Sequence, residues 1–424
     1  MQKLILIVCL ALSFAFPLAA QNKRIWVLRA PGEAVEYDAA TFAEKLVVKI
    51  PAEALASPQN FQINAQGQML FAPTVALPLT EGDFAAEKKI WFWNGHTAIT
   101  LARDISRTTA AVGSNLAITE SAPAPFLSVD GAHLFWFSNQ ARRLQRDGVD
   151  LSNRLTWTGW RTDLAGTNRE EIASTTLPDC PCKTGACEET CPYEEVWIPG
   201  DGIGKFFLLT QFVAGQTQSI YKSTIAYLED AGKWVAKPFD PPLRRVLDAA
   251  DADAILEAVP DTGCCGWSNE SDDQTVLRLH GKMITVFDEL AAYKNPDYDV
   301  SFYTQNGQLA PDLGSVALTI NSTSKPNTPI QLAEQGQASP EESQRIRKAL
   351  TELPAAEVKS FDLRGGEGAP RRVAFLPHAA LVGWINDNEI LIVENHLLVV
   401  YNIANGSRRK STITAEDYEH VVLR

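Results

Sequence analysis

Short runs of β-branched and aromatic residues recur along the chain, and turn-forming residues (Gly, Asn, Asp or Pro) bound each run. Such runs are typical of half-buried strands separated by turns. Long helical periodicity is nearly absent, so the pattern predicts an all-β protein. The clearest predicted strands are Arg24–Arg29, Lys45–Ile50, Ile90–Asn94, His133–Ser138, Lys205–Val213, Lys282–Asp288 and Glu389–Asn395.

One segment departs from this pattern and predicts a helix. Ser339 is a typical N-cap residue, Pro340 suits the first helical position, and Glu342 lies three residues after the cap. Three apolar residues then follow at helical spacing: Ile346, Leu350 and Leu353. We therefore expect one amphipathic helix near 340–353, inside a polar insertion that spans 321–356.

The strand runs group into units of about 40 to 50 residues, the length of a propeller blade. These units are approximately 24–55, 60–105, 124–175, 194–238, 245–305, 312–364 and 372–415. Four antiparallel strands joined by tight turns make one blade, so the sequence predicts a single-domain β-propeller with six or seven blades. Tyr418–Leu423 forms either a strand that closes the ring or a frayed tail. In a two-domain alternative, the polar stretch Asn321–Ser339 is a linker.

The third unit carries a motif of a known family. A turn made by Ser128-Val129-Asp130-Gly131 precedes an apolar strand that includes His133–Trp136, and a second turn follows at Asp163–Gly166. This unit resembles a blade of the TolB-type, WD-like propellers, although Val129 stands where that family usually has Pro. The other units match only in outline, and Asp130-Gly131 also fits an ordinary hairpin turn. The resemblance implies a six- or seven-bladed periplasmic propeller used mainly as a binding platform.

The start of the chain predicts export. A basic residue, Lys3, precedes the apolar run Leu4–Phe16, and the small-residue exit Pro17–Ala20 follows. This order is typical of a secretory signal peptide, here residues 1–20. The apolar run is too short to span a membrane, and no later apolar run reaches the length that spanning requires. We therefore expect a mature chain of 21–424 that is periplasmic or secreted and has no integral membrane segment.

Composition and charge narrow the class of partner. Hydrophobic residues make up 45% of the chain and charged residues 21%, which is typical of a globular protein with a sizeable core. The 38 Lys and Arg residues against 51 Asp and Glu residues leave a formal net charge of −13. Because basic side chains drive binding to phosphates, this balance argues against nucleic acid and anionic lipid as partners.

Six cysteines of the mature chain fall in two short segments. Four lie in the loop 178–195 and two are adjacent further on: Cys180, Cys182, Cys187, Cys191, Cys264 and Cys265. In an exported protein an even number favours disulfides, whereas the same spacing in a cytosolic chain favours zinc. Neighbouring cysteines pair only with strain, so we expect each of the last two to bond with the first segment. A Cys-ligated metal and redox chemistry are the alternatives; we predict neither metal nor cofactor.

Acidic residues cluster in the same region of the chain. The first group is Asp248, Asp251, Asp253 and Glu257, and the second is Asp261, Glu270, Asp272 and Asp273. The spacing does not match a calcium-binding loop, because Ala254 stands where Gly makes the turn. A solvated acidic surface is the favoured interpretation.

Tryptophans are abundant, and most fall on predicted strands. Trp91, Trp93, Trp157, Trp160, Trp197 and Trp384 are expected to pack between sheets, although they could also line a sugar- or peptide-binding surface. Trp267 differs, since it follows Cys264-Cys265-Gly266 in a polar loop. An aromatic side chain on a crosslinked loop suits partner binding. Trp267, Asp272 and Asp273 are therefore the candidate binding residues.

No catalytic motif supports hydrolysis or group transfer, since the six histidines are dispersed and no nucleophile elbow or phosphate loop occurs. We therefore predict an exported, non-catalytic binding scaffold that presents a loop face of a propeller to a protein or cell-envelope component. The alternative is a secreted propeller-type enzyme that acts on glycans or peptides, with carboxylates between Asp248 and Asp273 as acid and base.

Overall fold

The computed structural model describes residues 23–72, 84–110, 116–121, 125–146, 149–164, 168–176, 180–181, 193–199, 203–213, 220–231, 233–259, 274–288, 300–324, 339–341, 344, 356–363 and 370–424. In chain order the strands are Arg24–Arg29 (β1), Glu33–Asp38 (β2), Glu44–Lys49 (β3), Phe61–Ile63 (β4), Met69–Phe71 (β5), Phe84–Trp93 (β6), Ala98–Ala110 (β7), Leu116–Ser121 (β8), Phe126–Leu127 (β9), His133–Arg146 (β10), Val149–Asp163 (β11), Glu170–Thr176 (β12), Cys180–Pro181 (β13), Tyr193–Trp197 (β14), Phe206–Val213 (β15), Ile220–Asp230 (β16), Lys233–Phe239 (β17), Arg245–Asp251 (β18), Ala254–Val259 (β19), Gln274–Leu279 (β20), Lys282–Asp288 (β21), Val300–Leu309 (β22), Ser315–Ser324 (β23), Ala356–Asp362 (β24), Arg371–Pro377 (β25), Ala379–Asn386 (β26), Glu389–Glu394 (β27), Leu397–Asn402 (β28), Arg408–Thr414 (β29) and Val421–Leu423 (β30). Among the described residues, the helical segments whose two ends are both described are Glu53–Ala56 (α1) and the 3-10 turns Pro58–Asn60 (η1) and Tyr418–His420 (η2).

Hydrogen bonds join these strands into six sheets, five of four strands and one of ten. Inside the ten-stranded sheet, β4–β7 and β9–β12 each have the make-up of one blade, and β8 lies between β7 and β10. Seven blade-sized units therefore follow one another round the ring. They are β30-β1-β2-β3 (unit 1), β4–β7 (unit 2), β9–β12 (unit 3), β14–β17 (unit 4), β18–β21 (unit 5), β22–β25 (unit 6) and β26–β29 (unit 7). The prediction of an all-β, single-domain propeller is confirmed.

Consecutive units pack against each other through apolar side chains. Each junction, including the one from unit 7 back to unit 1, has its own buried cluster. Between units 3 and 4, for example, the ring of Trp157 stacks on Phe137 at 5.4 Å and on Tyr227 at 5.8 Å. Large aromatic residues fill these gaps because they bury much surface with few degrees of freedom.

The ring is closed by its last strand. β30 pairs antiparallel with β1, so that Ile25 lies opposite Leu423 and Val27 lies opposite Val421. The main-chain amide of Arg424 donates a hydrogen bond of 2.9 Å to the carbonyl of Arg24. The closing strand predicted within Tyr418–Leu423 is therefore present, preceded by the turn η2, and the alternative of a frayed tail is wrong.

The two faces of the ring differ in the length of their connections. In units 2 to 7 the first strand joins the second, and the third joins the fourth, on one face, which we call the turn face; in unit 1 the connection from β2 to β3 lies on this face, because β30 and β1 are not consecutive in the chain. The remaining connections emerge on the opposite face, which we call the loop face. Connections of more than ten residues occur on the loop face alone, where they join β3 to β4, β5 to β6, β13 to β14, β19 to β20, β21 to β22 and β23 to β24.

The predicted helix near 340–353 lies mostly outside the described residues. Within it, Pro340, Glu341 and Gln344 have helical backbone, and Ser339 precedes them as the predicted cap. The three apolar positions Ile346, Leu350 and Leu353 fall outside the description. None of the helices in the described part of the chain has the length and apolar character that crossing a membrane requires.

Strands β10 and β11 are much longer than predicted. The sequence pattern predicts a strand over His133–Ser138, whereas β10 continues to Arg146 and pairs with β11 along that length. The far half of β10 also pairs with β8. At about 3.3 Å per residue, these strands extend roughly 25 Å further than an ordinary blade strand, and the extension leaves the ring on the loop face.

Candidate functional site

A cavity of about 790 Å³ occupies the centre of the ring and runs along its axis. The first strands of units 1, 5, 6 and 7 form most of its wall. Tyr418 and Glu419 line its end at the loop face, whereas Lys23, Lys205 and Arg424 line its end at the turn face. In this cavity, side chains from distant parts of the chain converge on a space large enough for a ligand.

A glutamine crosses between two units on this wall. The Nε2 of Gln308 in β22 donates to the carbonyl of Val382 in β26 at 2.9 Å, and the indole Nε1 of Trp384 donates back to the carbonyl of Gln308 at 3.1 Å. A Cβ on Gly383 would lie 2.8 Å from Gln308 Oε1. A larger residue at position 383 would therefore displace the amide of Gln308 from its present position.

Asp248 is the acidic residue of the predicted first cluster that lines the cavity. Its Oδ2 accepts a hydrogen bond of 2.8 Å from the amide of Leu309, which ties unit 5 to unit 6. This bond fixes the carboxylate on the wall of the channel. The side chain thus places a carboxylate on the cavity wall at the level of Leu309, the last residue of β22.

The other members of that cluster lie elsewhere. Asp251 and Asp253 are exposed at the turn between β18 and β19, where Asp253 pairs with Lys237 at 2.9 Å. Glu257 is fully buried, which corrects the predicted solvated surface at this position. Its Oε1 lies 2.5 Å from Nε of Arg278, because β19 and β20 bring these residues side by side. Pairing explains why a carboxylate is tolerated there.

Polar side chains from units 1 and 6 meet at the loop-face end of the cavity. Gln305 donates from Nε2 to the hydroxyl of Tyr418 at 2.9 Å, and Asn321 donates to Gln305 Oε1 at 2.6 Å. The Tyr418 hydroxyl lies 3.3 Å from Glu419 Oε1 and donates to it. These bonds hold Tyr418 and Glu419 at the rim through residues that are more than 90 positions away in the sequence.

His420 lies directly behind this rim and is 6% exposed. Its Nδ1 is 2.7 Å from Asp417 Oδ1, and its Nε2 is 3.0 Å from the carbonyl of Leu55 in α1. Burial alone lowers the pKa of His420, but the bonds to Asp417 and Leu55 outweigh it, so the pKa lies above its usual value of 6.5. Both partners are acceptors, so the protonated ring satisfies both.

The motif of unit 3 lies at the turn-face end of the cavity, where Val129 contributes to the lining. Ser128 donates from Oγ to Asp130 Oδ1 at 2.5 Å, and the amide of Ala132 donates to the same oxygen at 2.9 Å. Burial raises the pKa of Asp130, but these hydrogen bonds outweigh it and the pKa lies below its usual value. Gly131 has a φ of +68°, as the predicted hairpin turn requires.

The predicted binding residues Trp267, Asp272 and Asp273 lie outside the described residues. So do Cys182, Cys187, Cys191, Cys264 and Cys265, while Cys180 is described only as part of the backbone of β13, where it lies opposite Asn153. The disulfides remain a prediction. Within the part of the chain that is described, no cluster of three or more His, Cys, Asp or Glu side chains has the arrangement of a metal site.

The prediction that strand tryptophans pack between sheets is confirmed for the six that are described. Trp157 and Trp384 are buried, and Trp91, Trp93, Trp160 and Trp197 pack against the buried clusters of their units. Trp384 also lines the cavity. The predictions did not include Lys23, Lys205, Gln308 and Arg424 as site residues. Nothing in their local sequence marks them, because the ring alone brings them together.

No protein-family model matches the chain, and no curated protein matches it. Among solved structures the chain is similar to dipeptidyl peptidase 4 of Porphyromonas gingivalis, with 9% identity, a TM-score of 0.43 and coverage of 92% of this chain and 58% of that chain. It is also similar to an acylaminoacyl peptidase of Pyrococcus horikoshii, with 11% identity, a TM-score of 0.42 and coverage of 91% and 48%. A third similar structure is apo AztD of Citrobacter koseri, with 9% identity, a TM-score of 0.37 and coverage of 95% and 97%. The chain spans about half the length of the two peptidases.

Proposed function

We propose that this protein is an exported, non-catalytic binding scaffold whose loop face holds a protein or cell-envelope component. The observation that carries the proposal is the unequal distribution of connections, since those longer than ten residues all leave the ring on that face. Loops on a rigid scaffold are the usual carriers of recognition. The long strands of unit 3 extend on the same face and enlarge the surface that a partner can contact.

The positions of the strand ends support a single location for the predicted binding residues on the loop face. Trp267, Asp272 and Asp273 belong to the connection from β19 to β20, and the four cysteines of the predicted loop 178–195 lie between β12 and β14, which begins at Tyr193. Both connections begin and end on the loop face, in units 3 to 5. The topology is therefore compatible with a disulfide-braced patch that presents Trp267 to a partner.

Export is tested by the state of the cysteines. The six mature cysteines of an exported chain should be bridged, so titration of the denatured protein without reductant should find no free thiols. Four or more free thiols would favour a metal-binding or redox role and would count against the exported scaffold.

The loop-face assignment is tested by photo-crosslinking in envelope extracts. A crosslinking residue at Thr176, which is exposed at the loop-face end of β12, should form a discrete adduct with the partner. The matched control is Asn388, which is exposed in the turn between β26 and β27 on the opposite face. The adduct at Thr176 should be lost in the Trp267→Ala variant, since an aromatic anchor contributes strongly to binding.

Equal adducts from Thr176 and Asn388 would contradict recognition by one face. If the adduct at Thr176 still forms in the Trp267→Ala variant, the partner binds at the loop face but Trp267 does not contribute to that binding. No adduct at Thr176 would overturn the proposed function.

A further inference from the structure

We propose that His420 is a pH-sensitive latch, which fastens the turn before the closing strand, and with it the loop-face rim of the cavity, to the connection between units 1 and 2. The latch is closed when the imidazole ring is protonated and opens when the ring becomes neutral. It does not rest on the proposed function, because it needs no partner at the loop face.

His420 lies where several parts of the ring closure meet. It is the last residue of η2, immediately before β30, and η2 packs against β1, β26 and η1. All six histidines of the chain fall within the described residues, and His420 is the one whose side chain is buried. A change in its protonation therefore acts on the packing around the closing strand, whereas the other histidines titrate in contact with solvent.

Both nitrogens of the ring face an oxygen atom. Nδ1 lies 2.7 Å from Asp417 Oδ1, and Nε2 lies 3.0 Å from the carbonyl oxygen of Leu55 in α1. A protonated ring donates to both oxygens, whereas a neutral ring has one N–H and one lone pair. Whichever nitrogen loses the proton, its lone pair then faces an oxygen at hydrogen-bonding distance, and one of the two contacts becomes repulsive.

The contact with Leu55 is the one that should be lost. Asp417 is a carboxylate and forms the stronger, charge-assisted bond, so the neutral ring should keep its proton on Nδ1. Leu55 lies near the end of the short helix α1, where carbonyl groups have no partner inside the helix. Deprotonation therefore leaves this carbonyl without its donor and separates η2 from α1.

Two carboxylates beside the ring favour its protonated form. Asp417 is in direct contact with Nδ1, and Oε2 of Glu416 lies 3.8 Å from Nε2 on a side chain that is mostly exposed. Burial lowers the pKa of His420, but the bonds to Asp417 and Leu55 and the two negative charges outweigh it, so the pKa lies above 6.5. The latch should therefore be closed below pH 6.5 and should open as the pH rises through the folded pKa.

The other groups on the elements around η2 do not reverse this preference. β26 and η1 contain no titratable side chain. Glu53 of α1 is exposed and acidic, and Glu419 of η2 accepts a hydrogen bond from the neighbouring tyrosine hydroxyl. The cations Arg24 and Arg29 lie at the two ends of β1, and each pairs with a glutamate of β2.

The same turn carries the rim of the cavity. Tyr418 and Glu419, which immediately precede His420, line the loop-face end of the cavity. Gln305 holds the Tyr418 hydroxyl from unit 6 at 2.9 Å, and His420 holds the turn from the side of α1. Release of the second contact should therefore loosen both the closing strand and the entrance to the cavity.

Hydrogen exchange measured by mass spectrometry at pH 6.0 and pH 8.5 tests the latch, after correction for the intrinsic effect of pH on exchange. The segment Glu416–Arg424 should lose protection about fivefold or more at the higher pH, because one buried hydrogen bond is lost. Strands β27 and β28 of the same sample are the internal reference and should keep their protection.

Three variants assign the response to the ring of His420. Asp417→Asn keeps an acceptor for the amides of Glu419 and His420 but removes the negative charge, so the loss of protection should begin about half a pH unit lower or more. His420→Gln cannot gain a proton, so its protection should be the same at both pH values. His280→Asn, in the exposed turn between β20 and β21, is the matched control and should respond as the wild type does.

Nitrogen-15 spectra of histidine-labelled protein give a second readout that does not depend on exchange. At pH 8.5 the neutral ring of His420 should carry its proton on Nδ1, because Asp417 is the stronger acceptor. A proton on Nε2 would mean that the bond to Leu55 is kept, and would overturn the proposed direction of release.

Equal protection of Glu416–Arg424 at both pH values in the wild type would overturn the proposal. A pH response that is unchanged in His420→Gln, or a midpoint that is unchanged in Asp417→Asn, would also overturn it. None of these measurements involves a partner at the loop face, so the latch and the proposed function can fail separately.

Discussion

The sheet that closes the ring and the ten-stranded sheet hold their neighbours together in different ways. Closure depends on three residue pairs between β1 and β30. In the ten-stranded sheet, by contrast, β8 forms five pairs with β7 and six with β10, so units 2 and 3 share one continuous ladder. The shorter ladder is surrounded by buried side chains, whereas the longer one lies in the extension outside the ring.

This difference teaches that the length of a hydrogen-bonded ladder does not measure its importance for stability. Val421 and Leu423 of β30 are 6% and 8% exposed and pack into the cluster between units 7 and 1. During folding, backbone groups exchange hydrogen bonds to water for hydrogen bonds within the protein, so each bond contributes little net free energy of folding. Burial of apolar surface contributes more. We therefore expect the three-pair closure to control global stability and the ladder through β8 to control local order.

Removal of residues 421–424 should have the largest effect. Loss of the two buried side chains alone should lower the free energy of unfolding by about 3 to 6 kcal/mol. Urea unfolding followed by tryptophan fluorescence measures this change. A loss below about 1 kcal/mol would show that the ring does not depend on β30, and the comparison above would be reversed.

Gly131→Ala should have the next largest effect, because it alters the contact between the turns of units 2 and 3. A Cβ on Gly131 would lie 1.7 Å from Gln68 Oε1, which accepts a hydrogen bond of 2.8 Å from Asn64. We expect a loss of about 2 kcal/mol from the strained backbone and the displaced bond. Gly281→Ala is the control, since it has a φ of +78° and no atom within 4 Å of the new Cβ, and should cost about half as much.

The closing sheet should also respond to pH through His420. Its pKa is raised above 6.5 in the folded protein, so its stabilising contribution is complete below that pH and is lost as the pH rises through the folded pKa. His420→Gln should therefore lower the unfolding free energy by about 1 kcal/mol at pH 5.5 and by little at pH 9.

His96→Gln, at an exposed position in the turn between β6 and β7, is the control for this titration and should leave the pH profile unchanged. A His420→Gln profile parallel to the wild type would show that the ring of His420 does not contribute to closure.

Ile118→Pro should have the smallest effect on global stability. Proline removes one amide from the ladder of β8, which pairs on both sides, and so should disrupt the extension. We expect faster hydrogen exchange in β8 and in the far halves of β7 and β10, with a change in unfolding free energy below about 1 kcal/mol. Ile118→Ala keeps the amide and should keep the exchange protection. A large global loss would mean that the extension is part of the ring's core.

The bounds of units 2 to 4 could be predicted to within about five residues, because turn-forming residues separate the strand runs, although the lengths of β6, β7, β10 and β11 could not. The unit predicted at 194–238, for example, corresponds to β14–β17, from Tyr193 to Phe239. Unit 1 differs, since its first strand comes from the far end of the chain. The strand pattern within Tyr418–Leu423 indicated this closing strand, but the local sequence alone could not decide between ring closure and a frayed tail.

The extension and the cavity escaped prediction for different physical reasons. The far half of β10, from Asn139 to Arg146, is mostly polar, and a polar sequence of this kind is typical of a loop. It forms a strand here because β8 and β11 pair with it on both sides. Glu257 reads as a surface residue because its partner Arg278 is 21 positions away. The cavity residues Lys205 and Arg424 line one space only once the units of the ring have packed.

The pairing of β30 with β1 also sets the order in which the molecule can be completed. During synthesis, six units can acquire all four strands before residue 421 emerges, while β1 waits with one side uncovered. Translation and final assembly are thereby coupled: the earliest described strand is the last to gain its neighbour, and until then its exposed edge is available to chaperones or to another nascent chain.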